Sequence, residues 1–211
     1  MPKNILGLLV AVLPIRKIIA KLKNLIFKPQ KEGNFLKKID RLGALSAKYE
    51  SNTSTCAINA LLDQNVANDD LGGVSYGKFQ LSTKTGGLKE FLTFLEKSYP
   101  EFAHELNQNG GLNAAKIASS PFTKTWQRLA KNPDFEEAEY EFIKEKYFIT
   151  QADRLKELLG FDIFEHSRSL QEVLWSVACQ HGNAAITIFK NALAKFDDSN
   201  LATDAELIAS I

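Results

Sequence analysis

Cysteine is scarce in this chain, with only Cys56 and Cys179 among 211 residues. No Cys-x-x-Cys or Cys/His spacing accompanies them, and His104, His166 and His181 are scattered, so neither zinc nor metal catalysis is expected. The two cysteines leave a single disulfide and a pair of buried thiols both open. Net charge is small as well. A formal +1 excludes the strongly basic face of a dedicated nucleic-acid binder, and no nucleic-acid partner or cofactor is expected. Internal repeats and low-complexity linkers are absent, and a chain that is 45% hydrophobic and 24% charged is not disordered. Its length suffices for one substantial core, or a core with an appendage.

The small net charge hides an asymmetry. Residues 1–40 carry nine Lys/Arg against Glu32 and Asp40, whereas the remainder carries seventeen basic against twenty-three acidic residues. The pattern fits a basic arm on a mildly acidic body. Residues 1–32 form the arm and 33–211 the domain, with Pro29 and Gly33 marking the boundary. The arm holds an apolar run from Ile5 to Ile15, too short to span a bilayer and interrupted by Pro14 and Arg16-Lys17. A secretory signal would start at Lys3, but no clear small-residue cleavage site follows. A basic amphipathic helix at a membrane surface or a partner fits this composition better, and a helix covering part of the domain is the alternative.

Helical periodicity dominates the body. Phe35, Leu36, Ile39, Leu42, Leu45 and Tyr49 mark a helix ending near Glu50. Leu88, Phe91, Leu92 and Leu95 mark another, stopped by Pro100, and a short helix is predicted over 113–118. Residues 134–160 read as one long helix with Asp134 as cap and Gly160 as stop. A further helix has Val173, Leu174, Val177 and Ala178 at core spacing, and 183–196 and 204–211 complete the set. The β-like run is "GGVSYGKFQLS". The fold class is therefore mainly α, with one small β-hairpin next to Glu50.

Glu50 is the carboxylate that both ends an apolar-faced helix and precedes this hairpin. Partial desolvation raises a carboxyl's pKa and lets it donate a proton near neutrality. Asp69 and Asp70 stand just before the hairpin, across from Glu50 in a helix-then-hairpin order. Paired carboxylates of this kind flank the scissile bond in glycosidases. Gly72-Gly73 permits a tight turn or close approach to an extended ligand, and Ser75, Tyr76 and Gln80 supply hydroxyl and amide groups suited to sugars. Tyr76 and Phe79 also suit a core, and Gln80 a plain surface position.

The run "Tyr49-Glu50-Ser51" followed by "Tyr76-Gly77-Lys78-Phe79-Gln80-Leu81" resembles the lysozyme superfamily. The spacing from Glu50 to Gly-Gly-Val-Ser-Tyr-Gly is closer to its chitosanase-like and phage or type VI secretion-associated wall hydrolases. "LWSVACQHGNAA", 174–185, is similar to the Gln-His-Gly segment of those proteins. The family's tyrosine in the third motif is absent here, with His181 standing nearby. The resemblance implies a lysozyme-like helical domain that cleaves the β-1,4 bonds of bacterial cell-wall peptidoglycan. Glu50 would be the general acid, with Asp70, or Asp69, as base in a hydrolase and no base in a lytic transglycosylase. It further implies Ser75, Tyr76, Gln80, Gln180 and His181 as substrate-binding residues. It places the action in the periplasm or outside the cell, after delivery by a phage or secretion system, with residues 1–32 meeting a membrane surface or a delivery or immunity protein. Chitosan is the other substrate class, and a membrane-active or interaction protein with a non-catalytic scaffold is the other kind of function.

Overall fold

A computed structural model describes residues 41–43, 56–59, 73–196 and 202–211. Glu50, Asp69, Asp70 and the arm over 1–32 lie outside the described residues. The chain divides into two compact units, and the division falls between Phe142 and Ile143. Among the described residues, 56–59 and 73–142 belong to the first unit, and 41–43, 143–196 and 202–211 to the second. The fold is mainly helical, as the periodicity predicts. No helix among the described residues is long and apolar enough to cross a membrane.

The first unit opens with a small antiparallel sheet in the order β1 (Ile58–Asn59), β2 (Ser75–Tyr76), β3 (Leu81–Ser82). Ile58 pairs with Tyr76 and Asn59 with Ser75, and on the other side Ser75 pairs with Ser82 and Tyr76 with Leu81. The sequence predicts the β2–β3 hairpin, and β1 adds a third strand that two residues of pattern do not reveal. Five helices follow: α1 (Gly87–Ser98), α2 (Pro100–Gln108), α3 (Gly111–Lys116), α4 (Ser120–Leu129) and α5 (Pro133–Ile143). Leu88, Phe91, Leu92 and Leu95 are the buried stripe of α1, and Pro100 ends it by occupying the first turn of α2, where its missing N–H costs nothing. The cap of α5 is Asn132 rather than Asp134. The Asn132 Oδ1 accepts the Asp134 N–H at 2.9 Å, and Pro133 between them takes the first helical position. Edge-to-face rings fill the core: Phe135 meets Trp126 at 5.2 Å, Phe102 at 5.3 Å and Phe91 at 5.8 Å between centroids.

After 41–43, the described part of the second unit continues with a π-helical turn, Lys144–Ile149, and then α6 (Thr150–Leu159). The helix predicted to be uninterrupted over 134–160 is thus broken by a turn of wider hydrogen bonding, where Thr150 Oγ1 donates to Glu145 O, five residues back. Gly160 ends α6 at φ 66°, and the N–H groups of Gly160 and Phe161 close on Lys156 O and Leu155 O. A 3₁₀ turn (Ile163–Glu165) leads to α7 (Arg168–His181), capped by Ser167, whose side chain accepts the Leu170 N–H. Then come a 3₁₀ turn (Gly182–Ala184), α8 (Ala185–Leu193) and α9 (Asp204–Ser210). Val173, Leu174, Val177 and Ala178 are fully buried on α7, which packs against the π turn, α6, α8 and α9. Cys56 and Cys179 form no disulfide.

Candidate functional site

The hairpin of the first unit carries three of the predicted site residues. Successive side chains of a strand point to opposite faces, so Ser75 and Tyr76 cannot serve one ligand from the same side. Ser75 is half-buried, whereas Tyr76 is fully buried. The Tyr76 ring stacks edge-on against Phe122 at 5.3 Å, and its hydroxyl donates to Ala115 O at 2.9 Å. Burial pushes its phenol up to about 12, keeping it an uncharged donor. Tyr76, expected from the sequence as a substrate-binding residue, anchors the hairpin to α3 from inside the core. Tyr76→Phe removes one of the two hydrogen bonds to Ala115 O, which the Ala118 N–H still meets at 3.0 Å, so chemical denaturation is expected to show a loss of about 0.5–1.5 kcal/mol.

Between β2 and β3 the turn Gly77–Gln80 is tight. Gly77 has φ 77° and its N–H reaches Ala57 O at 2.8 Å, which ties the turn to the residue before β1. Gln80 adopts φ 51°, a left-handed conformation that L side chains seldom hold. Its own amide compensates by donating to Gly77 O at 2.7 Å. Gln80 is thus half-buried, with part of its hydrogen-bonding capacity engaged by the turn that presents it. Lys78 pairs with Glu136 of α5 at 3.4 Å.

Beneath this turn lies a residue that sequence inspection did not single out. Glu139 is completely buried, and neither carboxylate oxygen has a hydrogen-bond partner. A Cβ added to Gly77 would overlap a Glu139 oxygen and lie 2.9 Å from its Cδ. The turn therefore rests directly on the carboxyl group. Burial, the largest influence, pushes Glu139 up to about 8, while the nearby Lys78 backbone N–H pulls the other way without hydrogen-bond geometry to either oxygen. The signal in the sequence was phase. Glu139 falls on the same helical stripe as Phe135, Ala138 and Phe142, although it sits in an acidic run.

In the second unit α7 carries the other two predicted residues near its end, Gln180 and His181, both half-buried. Gly182 ends the helix at φ 52° and ψ −124°, with open space where a Cβ would be, so only its backbone conformation calls for glycine. The next residue is fastened to α6. Asn183 Oδ1 accepts from Arg154 Nη1 at 2.7 Å and from Gln151 Nε2 at 3.3 Å. Gln151 is buried, so the clamp rests on a fixed support just beyond Gln180 and His181.

Earlier on α7, Glu172 is the other buried carboxylate among the described residues. It is answered where Glu139 is not. Its Oε1 accepts the Gly43 N–H at 2.9 Å, and Arg168 Nε stands 3.4 Å away. Burial raises its pKa, and the Gly43 N–H and Arg168 oppose that shift. Gly43, at φ 81°, presses on Trp175, and a Cβ there would lie 2.6 Å from the indole Cζ2. Among the described residues no cluster of three or more His, Cys, Asp or Glu has the arrangement of a metal site.

Comparison with known proteins places these elements in one family. The chain is 31% identical over 165 residues to the type VI secretion system spike protein VgrG3 of Vibrio cholerae serotype O1. That alignment covers 76% of this chain and 14% of the relative, so the chain spans only a small part of that protein's length. The family model for the type VI secretion system spike protein VgrG3-like C-terminal region matches residues 42–211, from the Gly43 anchor through the hairpin to the end of α9. The chain belongs to the family of VgrG3-like C-terminal regions of type VI secretion system spike proteins.

Proposed function

We propose that the chain cleaves the β-1,4 glycosidic bonds of bacterial cell-wall peptidoglycan, with Glu50 as general acid. The observation that carries this is coverage. A single family match, 42–211, takes in Glu50, Asp69, Asp70, the hairpin and the Gln180-His181 segment together. Glu50 donates its proton to the leaving glycosidic oxygen as an oxocarbenium-like sugar forms. In a hydrolase Asp70, or Asp69, removes a proton from water attacking the opposite face, a chemistry that requires roughly 6.5–9.5 Å between the two carboxyl groups. In a lytic transglycosylase the sugar's own hydroxyl attacks instead, and Glu50 takes up that hydroxyl's proton, leaving an anhydro sugar. Ser75, Gln80, Gln180 and His181 are the groups proposed to hold the glycan.

Kinship to a secretion-system spike protein supports delivery by such a system, with residues 1–32 as the segment that meets a membrane or a partner. Zymography on embedded cell wall, using the full chain, Glu50→Gln and a chain starting at Gly33, tests the assignment. Clearing by the full chain and the shortened chain, but not by Glu50→Gln, is the expected outcome. Leakage of lipid vesicles by the arm alone, with no clearing by any form, would favour a membrane-active protein instead.

A further inference from the structure

We propose that Glu139 is a positioning residue for the glycan-binding hairpin, supporting the Gly77–Gln80 turn from beneath and so fixing where Ser75 and Gln80 stand. The proposal rests on the glycan-cleaving function argued above. Three observations on this side chain converge. It is fully buried, both of its oxygens lack partners, and the Gly77 backbone lies on its carboxyl group so closely that no other residue fits there. Trp126 of α4 closes the same space, 3.0 Å from where a Gly77 Cβ would be. A carboxylate ion cannot rest in such a place without a counter-charge, whereas a neutral carboxylic acid of the same shape can.

The charged groups facing it leave the ion unsupported. Among the described residues Lys78 on the turn is the cation acting on Glu139, and its ammonium is paired with Glu136. Glu136, one helical turn earlier on α5, itself disfavours a second negative charge. Trp126, from α4, brings no charge. Glu139 is accordingly held neutral up to about pH 8. Above that pH an ion forms directly under Gly77, and the turn must move to let water reach it. Gln80, already held at φ 51°, is the strained point at which such a movement would begin.

The sign of the stability effect follows from proton counting. Between the unfolded value of 4.5 and about 8 the folded protein keeps a proton that the unfolded chain has lost. Stability attributable to Glu139 therefore falls as pH rises across that window and levels off above it. The experiment uses the full chain and Glu139→Gln, which keeps the shape and cannot ionise. It reads thermal midpoint, amide hydrogen exchange of 77–80 and rate of cell-wall cleavage from pH 4 to pH 9. The carboxyl carbon shift of Glu139 in the unsubstituted protein reports the same proton without any substitution.

The expected results are titration near pH 8 and a midpoint that falls with pH in the unsubstituted protein relative to Glu139→Gln. Loosening of the turn's amides above pH 8 is expected only when Glu139 is present. The ratio of Glu139→Gln to unsubstituted cleavage rates should rise by about tenfold between pH 7 and pH 9, following the one-proton ionisation. A merely structural glutamate would lower the midpoint without moving that ratio or the exchange of the turn, and such a result would overturn the proposal. Titration in the ordinary carboxyl range would overturn it too. Absence of cleavage by both proteins, with the exchange pattern as expected, would count against the glycan-cleaving function and in favour of the support of the turn.

Discussion

Under the proposed glycan-cleaving function, Glu50→Gln is expected to lower the rate of cell-wall cleavage by at least about 100-fold while the thermal midpoint stays level or rises. Positioned acid catalysis contributes typically ~10²–10⁴-fold, and glutamine preserves the shape while deleting the proton that the leaving oxygen needs. A catalytic carboxyl held in partly apolar surroundings weakens the fold that holds it, so its neutral replacement relieves that cost. The measurement is the release of soluble fragments from purified sacculi, alongside thermal melting of both proteins. Asp69→Asn and Asp70→Asn then separate the two chemistries. Loss of activity with one of them indicates a base-assisted hydrolase. Retention with both, and an anhydro sugar among the products, indicates a transglycosylase. Substantial cleavage by a folded Glu50→Gln protein would remove Glu50 from the mechanism.

Gly43→Ala is expected to be among the most destabilising single substitutions in the second unit. The residue sits at φ 81°, where an L side chain carries a cost of about 1–2 kcal/mol. The new methyl would also press into the Trp175 indole, which is fully buried and unable to swing aside. Overpacking of that kind costs about 1–3 kcal/mol, and the Gly43 N–H would be drawn away from Glu172, whose buried carboxylate it answers. The combined loss of about 2–5 kcal/mol should lower the thermal midpoint by at least about 5 °C. Gly160→Ala is the control. At φ 66° it carries the left-handed backbone cost but has open space for its methyl, so it should destabilise distinctly less. Equal effects of the two substitutions would mean that the contact with Trp175 contributes nothing.

The helices were legible because each buries a stripe that repeats at helical spacing. Leu88, Phe91, Leu92 and Leu95 announce α1, and Val173, Leu174, Val177 and Ala178 announce α7, with no help from the rest of the chain. Glycines gave away the hairpin, since a β-like run bracketed by Gly73 and Gly77 has few other forms. The remainder depends on contacts far apart in sequence. Ile58 and Asn59 form a strand because Tyr76 and Ser75 are there to pair with them, and two residues have no period of their own. Tyr76 reads equally well as a sugar platform or a core ring. Its burial is decided by Phe122, Trp126 and the Ala115 carbonyl, all supplied by helices that come later in the chain. Glu139 was hidden by its neighbours, because one buried carboxyl among Glu136, Glu137 and Glu141 looks like part of a solvated acidic face. The strand's period of two could have warned that Ser75 and Tyr76 face opposite ways.

The chemical identity of the broken bond is the most direct test of the central claim. Purified sacculi are digested with the full chain, and new sugar ends are counted against new amino groups by mass spectrometry of the released fragments. The account predicts one new reducing or anhydro sugar end per cut, no new amino groups, and no such ends from Glu50→Gln. Amino groups without new sugar ends, or intact sacculi after prolonged exposure to a folded protein, would contradict it.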